Sequence, residues 1–413
     1  MTVTRGHGKA ARSNATGGLS PYGDSHTDGR RPLSGYLPRC LVTRRIGNAT
    51  FRRHRQRAGS HAGPGSAGSL ISARNTRSMP PSARIVATGH YLPSRRVTND
   101  DLRARAEAAQ TIDRFEATTG IRQRWHAEAD QATSDLALAA AQQALERAGL
   151  APSALDLIVV GTDTPDYITP ATSTVLQAKL GAHRAGTFDI GCACASFPSA
   201  LATAHGLMGA NAGVRHALVT GAYLMSRHAA EDDLMSFFYG DGAGAAVVTA
   251  GDQPGVLGAA FAADGRYAGY WGIDAGGTVE PVTEQALAAG RHRVRVKERY
   301  PPEINEQGWP ALVRTLAERC GFNISAIDHA VFTQVNRSTI DHTCAELGLP
   351  RERAITVMEQ WGYTGSACVP MALDQLVTSG HAHSGELVVM VGSGVGYNMA
   401  AVAVRLGDDL VSG

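Results

Sequence analysis

Cysteine is scarce in this 413-residue chain: six residues, at positions 40, 192, 194, 320, 344 and 368, with no CxxC pair and no His/Cys cluster. That excludes a zinc site of ordinary ligand spacing and a disulfide framework. It fits a reducing, cytoplasmic compartment. No apolar run reaches the ~20 residues that cross a bilayer, and no signal-peptide apolar core opens the chain, so no membrane contact is expected. Charged residues make up 18% of the chain against 43% hydrophobic. That balance excludes wholesale disorder, and the length supports a large core in one or two domains.

Acids are nearly missing from the first 80 positions. Asp24 and Asp28 stand there against 14 Lys and Arg, a charge of +12, while the remainder holds 25 basic and 35 acidic residues, a charge of −10. Nucleic-acid binding is therefore not implied for the folded part. Residues 1–80 are rich in Gly, Ser, Arg and His and keep no period of 3.6 or 2, so they cannot bury enough apolar surface to offset their ordering entropy. They read as a disordered basic leader or a translated upstream region. A nucleic-acid arm or transit peptide is the functional alternative. Folding is expected to begin about Met79, just before the first strand at Arg84–Gly89.

From Ser82 onward helical and buried-strand patterns alternate, which argues an α/β layered fold. Thr133–Ala148 places Leu136, Ala140, Ala144 and Leu145 on one helix face, with Thr133 or Ser134 as cap. The segments LIVVG (157–161), HALVTG (216–221), 243–249 and LVVMVG (387–392) read as strands. ERAGLAPSALDLIVVG (146–161) and ERCGFNISAIDHAVFT (318–333) align without gaps at an offset of 172, with seven of sixteen positions identical. Each copy is a helix end with a left-handed glycine cap, a turn and a strand. A period this long is a duplicated domain, with halves expected at 81–252 and 253–413.

In FDIGCACASFPSAL (188–201) a short strand end runs into Gly191, two cysteines and an Ala-rich helix with Pro198 in its first turn. A Cys at such a turn faces free backbone N–H groups, and the helix dipole is expected to lower its pKa and activate it as a nucleophile. Two buried structural cysteines are the competing reading.

Cys-Ala-Ser-Phe followed by an Ala-rich helix resembles the nucleophile motif of β-ketoacyl-acyl-carrier-protein synthase III, of the thiolase superfamily. The register places the nucleophile at Cys194 and makes Cys192 a packing residue. TTGIRQR (118–124), YGDGAGAAV (239–247) and WGYTGSACVPMA (361–372) resemble further family segments in the same order. So does TPDYITPATSTVLQAKLG (164–181), whose Thr169 would lie at the acyl pocket and dimer interface. The resemblance runs from about Ala83 to Leu406. It implies a duplicated α-β-α-β-α fold of two similar halves, a homodimer, an acyl thioester substrate, an acyl-carrier-protein partner and no cofactor or metal. GSGVG (392–396) follows a strand, but an apolar strand rather than a helix comes next, so a dinucleotide site is excluded. By resemblance, the amides of Cys194 and Val395 would form the oxyanion hole.

Two departures from the family bear on chemistry. Where it carries a His, this chain has Thr333, and where it carries an Asn, Tyr363. Neither replacement can be cationic at neutral pH, and neither is a base near pH 7. Positions that clamp the adenine of CoA in the family fall on Arg114 and Asp233, so a carrier-protein donor is expected over CoA. His228, His329 and His342 are read as structural. Arg291, Arg293, Arg295 and Lys297 alternate, and on a strand they would share one face and dock an acidic carrier; a charged edge strand that resists aggregation is the alternative. The leading expectation is an acyltransferase that loads Cys194 and passes the acyl group to another carrier or a small nucleophile in specialised polyketide or fatty-acid-related metabolism. The alternatives are a decarboxylating condensing enzyme with altered roles for Thr333 and Tyr363, and a non-catalytic subunit.

Overall fold

A computed structural model describes residues 82–411 apart from 105–108, 211, 230–236 and 254. The expected leader, Met79 and Asp233 lie outside the described residues. Ten strands form two five-stranded sheets. The first holds β1 (Ser82–Tyr91), β2 (Leu157–Gly161), β3 (Gly186–Ile190), β4 (His216–Tyr223) and β5 (Gly242–Gly251). The second holds β6 (Val256–Ala263), β7 (His329–Phe332), β8 (Ala354–Ile355), β9 (Leu387–Gly394) and β10 (Asn398–Arg405).

The sheets have one topology written twice. The first runs β1-β5-β4-β2-β3 and the second β6-β10-β9-β7-β8. In each, the strand next to the far edge, β2 or β7, pairs in parallel on both sides and the other two pairs are antiparallel. The repeat detected in the sequence sits at corresponding places. Gly149 and Gly321 both adopt left-handed φ, +62° and +71°. Asp156 and Asp328 each accept a backbone N–H from the next parallel strand, from His216 at 3.1 Å and from Leu387 at 2.8 Å.

Helices α1 (Thr133–Arg147) and α2 (Thr172–Leu180) flank the first sheet, and α4 (Glu303–Cys320) and α5 (Arg337–Leu347) the second. Between the sheets run α3 (Ser196–Gly209) and α6 (Cys368–Thr378), each touching both sheets. The result is the expected five-layer α-β-α-β-α fold. Helices in such a middle layer are apolar on most faces: Phe197, Leu201 and Met208 of α3 and Met371, Leu373 and Leu376 of α6 are all buried. Burying each such side chain contributes about 1.5–3 kcal/mol. Small residues let the layers approach. A Cβ on Gly244 of β5 would lie 2.7 Å from Pro370 and 2.6 Å from the Met371 amide.

One cap differs from expectation. Ala132 caps α1, and the Asp135 carboxylate accepts its N–H at 2.9 Å. The Thr133 and Ser134 hydroxyls donate outward instead, to the Thr164 carbonyl and to Asp166, both at 2.5 Å. They tie the loop after β2 to the helix start.

Candidate active site

Cys194 sits on a 3-10 turn, Ala193–Ala195, between β3 and α3. The turn is built on Ala193 at φ +49°, the one non-glycine left-handed residue among those described, a conformation that costs about 1–3 kcal/mol. It turns the chain out of the sheet and into the interior between the two halves. Two glycines of β9 make room for it. A side chain at Gly392 would overlap the Cys194 carbonyl, and one at Gly394 would meet the Cys192 carbonyl and, at 3.0 Å, the Cys194 amide.

The Cys194 sulfur is fully buried and lies 2.7 Å from the hydroxyl of Tyr363, itself 7% exposed. The Tyr363 backbone is held on both sides: its amide donates to the Phe238 carbonyl and its carbonyl accepts from Gly240, each at 2.9 Å. Its ring packs against Phe238 at 5.4 Å and Tyr223 at 6.0 Å. The phenol can therefore reach the sulfur with little freedom left to lose.

Burial pushes the Cys194 thiol well above its ordinary range, with neighbouring Cys368 and the charge of Asp163 adding to the effect; the Tyr363 hydrogen bond works the other way. This corrects the expectation of a lowered pKa. The helix start is present, but loss of solvation outweighs its dipole. Burial likewise pushes Tyr363 well up, so the phenol is a donor near neutral pH and not a base.

Thr333 is placed differently. Its hydroxyl accepts the Ser393 N–H at 2.8 Å and its amide donates to the Val391 carbonyl at 3.0 Å. These bonds hold the turn after β7 to β9. Val395 lies on the turn after β9, where its carbonyl accepts from Asn398 at 3.4 Å. Cys192 is half-buried, donates to Ser199 at 3.5 Å and lines a separate cleft with Phe261 and Asn398. Thr169 is exposed beside Tyr167 and Ile168, ahead of α2, and Arg114 is exposed on the helix Ala109–Thr119. His329 pairs with Glu386 at 2.9 Å.

The basic segment is not the strand expected of it. Only Arg295–Val296 is extended, and the rest is turn. The alternation comes from local pairing. Arg291 meets Glu280 at 2.5 Å, Lys297 pairs with Asp274, and Arg293 donates to the carbonyls of Arg227 at 2.8 Å and Ala229 at 3.3 Å. The four residues do not present one charged face.

Three residues of this region escaped the sequence reading: Cys368, Ser366 and Asp163. Cys368 is fully buried at the start of α6, its sulfur accepting the Gln334 N–H at 3.5 Å. Ser366 donates to Asp163 across 203 residues of sequence. The 172-residue offset was the signal that could have found two of them. Continued past its first block, it aligns CASFPSAL (194–201) with SACVPMAL (366–373), with Ala, Pro, Ala and Leu identical. Ser366 thus holds, in the second half, the position that Cys194 holds in the first.

Comparison with known families and structures agrees with this architecture. A family model described as 3-oxoacyl-[acyl-carrier-protein] synthase III matches residues 188–265, and its C-terminal counterpart matches 317–406. The priming β-ketosynthase of the R1128 polyketide pathway is 32% identical over 79% of this chain and 97% of its own, with a TM-score of 0.73. A 3-oxoacyl-(acyl carrier protein) synthase III from Pseudomonas aeruginosa PAO1 is 29% identical over 79% and 99%, TM-score 0.72. A β-ketoacyl-[acyl carrier protein] synthase III from Thermus thermophilus is 30% identical over 78% and 99%, TM-score 0.70.

Proposed function

We propose that this chain, which belongs to the 3-oxoacyl-[acyl-carrier-protein] synthase III family, acts as an acyltransferase that carries its acyl group on Cys194. Family membership supports an enzyme of ketosynthase type. The finer reading rests on one observation: Tyr363, which the family register sets where the Asn donor is expected, has its hydroxyl 2.7 Å from the Cys194 sulfur.

In the first half-reaction the Cys194 thiolate attacks the donor thioester, and the Cys194 and Val395 amides take the oxyanion. The C–S bond to the donor breaks and the donor's sulfur leaves as a thiolate. In the second, an alcohol, amine or thiol attacks the acyl-Cys194 thioester, the acyl C–S bond breaks, and sulfur departs as a thiolate that takes up the proton the nucleophile loses. The Tyr363 hydroxyl would donate to that departing sulfur, where a charge-assisted bond is strongest. Neither half-reaction needs a donor aimed at an enolate. Decarboxylation of a malonyl thioester does, and the Thr333 hydroxyl, which accepts the Ser393 N–H, has a single weak donor where the family's His has a stronger one.

An acyl-carrier protein is the proposed donor, and Arg291, Arg293, Arg295 and Lys297 remain its proposed contact, as a turn whose charges are largely matched within the chain. The family resemblance also motivates a homodimer in which the Thr169 loop of one copy completes the acyl pocket of the other. Mass spectrometry of the protein after incubation with acyl thioesters tests the reading: a stable mass increase on Cys194 supports it, and its absence with every donor favours the non-catalytic subunit.

A further inference from the structure

The chemistry proposed above needs a fixed direction for the Val395 amide, yet the turn that carries it has few side chains to hold it. Residues 392–396 read Gly-Ser-Gly-Val-Gly, and Gly396 sits at φ +119°, a region that glycine enters without steric cost. One end of the turn is secured by the sheet. Gly394 pairs with Asn398 across the β9–β10 hairpin, and a Cβ on it would come within 3.0 Å of the Cys194 amide. The other end is secured by a side chain from elsewhere. The Gly396 N–H donates to the hydroxyl of Tyr300 at 3.3 Å, across 96 residues of sequence.

Tyr300 belongs to the stretch between β6 and α4, and other rings hold it. It stacks on Tyr270 at 5.5 Å and on Trp271 at 6.4 Å, and meets Tyr397 edge-on at 5.1 Å. The Trp271 indole N–H donates to the Tyr239 hydroxyl at 3.1 Å, and the Tyr239 ring lies 6.1 Å from that of Tyr363. Seven of the nine tyrosines in residues 82–411 fall in this one set of ring contacts. Packed rings thus link Tyr363 to the 394–396 turn, and both of these touch Cys194. A peptide unit is planar, so fixing the Gly396 N–H also fixes the Val395 carbonyl, which accepts from the Asn398 side chain at 3.4 Å. The Val395 amide is then bracketed between that plane and Gly394. Burial pushes the Tyr300 phenol upward, so it stays neutral near pH 7.

We propose that Tyr300 is a positioning residue: its hydroxyl, held by the ring stack, sets the Gly396 amide and thereby aims the Val395 amide at the oxyanion formed when Cys194 attacks. Tyr300 itself touches no reacting atom. It acts on the charged intermediate through the turn and leaves the reactivity of the thiol alone.

The proposal rests on the acyl-Cys194 reading, and its test separates the two. Tyr300→Phe keeps the stacked ring and removes the hydroxyl. Acylation of Cys194 by a small acyl thioester should slow about tenfold, in maximal rate rather than in KM. That is less than the roughly 10²–10³ lost with a whole oxyanion donor. Alkylation of Cys194 by iodoacetamide forms no oxyanion and should keep its rate, which also shows that the variant is folded. A second probe needs no acyl transfer. The sulfur adds to the carbonyl carbon of a short-chain alkyl trifluoromethyl ketone, the thiol proton goes to solvent, and the C=O electron pair becomes an alkoxide in the hole. The affinity of that ketone should fall about tenfold in Tyr300→Phe. An unchanged ketone affinity, an equal loss toward iodoacetamide, or no ketone adduct on the unmodified protein would overturn the proposal. A weakened ketone in a protein that no thioester acylates would leave it standing and remove the acyltransferase reading instead.

Discussion

The sulfur of Cys194 and the hydroxyl of Tyr363 lie 2.7 Å apart, across 169 residues of sequence and between the two halves of the fold. The cysteine comes from the turn before α3 and the tyrosine from the loop before α6. The candidate site is therefore assembled where the middle-layer helices begin.

Removing the phenol while keeping the ring isolates that bond. The Tyr363 hydrogen bond lowers the Cys194 pKa, so Tyr363→Phe should raise it. Hydrogen bonds to charged groups contribute about 1.5–3 kcal/mol, so acylation at neutral pH should slow by roughly ten- to a hundredfold. Pre-steady-state acylation with one small thioester measures this. An unchanged rate would show that the phenol serves packing alone.

Cys194 should be the only acylated cysteine. Cys194→Ala should abolish the acyl adduct, while Cys192→Ala, at a residue facing a different cleft, should retain it. Peptide-level mass spectrometry distinguishes them, and labelling that survives Cys194→Ala would remove the assignment.

The two departures from the family pattern are unequal. Thr333→His removes the acceptor of the Ser393 N–H and should cost about 1–3 kcal/mol of stability, with little gain in condensation. Tyr363→Asn vacates the space beside the sulfur. Thr333→His with Tyr363→Asn together should gain measurable condensation with malonyl-carrier protein. Product analysis by mass spectrometry reads it, and gain from Thr333→His alone would contradict the role given to Tyr363.

Asp374 ties the middle layer to the first sheet. Its fully buried carboxylate meets His90 at 2.5 Å and Arg147 at 2.7 Å. Desolvation acts upward on its pKa, but the His90 hydrogen bond and the Arg147 charge work against it, and the value is lowered on folding. That stabilisation is present above the unfolded aspartate value of about 3.9 and is lost as pH falls through the lower folded value. Asp374→Ala should cost about 3–5 kcal/mol at pH 7 in urea unfolding, and the gap to the unmodified protein should narrow only below about pH 4.

Much of this architecture is legible in the chain. Strand cores such as LIVVG and LVVMVG are apolar throughout because both faces are covered, and Gly149 and Gly321 mark matched helix ends because left-handed caps favour glycine. The Cys194–Tyr363 contact was visible only through a family register, since no local pattern links residues 169 positions apart. The Asp163–Ser366 contact was not visible: the repeat offset marks Ser366, but an Asp after a strand is an ordinary turn residue, and only the folded halves join the two. The alternation of Arg291 to Lys297 misled for a related reason. Period two argues a strand only when one face is shared, and here Glu280, Asp274 and backbone carbonyls draw Arg291, Lys297 and Arg293 to separate partners. The raised Cys194 pKa also eluded the sequence, because a helix start is local while desolvation depends on both halves closing over the sulfur.

The central claim is that Cys194 transfers acyl groups while the site lacks the donors that decarboxylation requires. One such donor is worth about 2.7–4 kcal/mol to a transition state, and the proposed register replaces two. The direct test runs the unmodified protein with malonyl-carrier protein and with a simple acyl thioester plus an added nucleophile, measuring released CO₂ beside acyl transfer. Transfer through acyl-Cys194 with CO₂ release near the uncatalysed background is the predicted result; brisk CO₂ release would contradict it and make the chain a condensing enzyme in which Thr333 and Tyr363 do the work of the missing His and Asn.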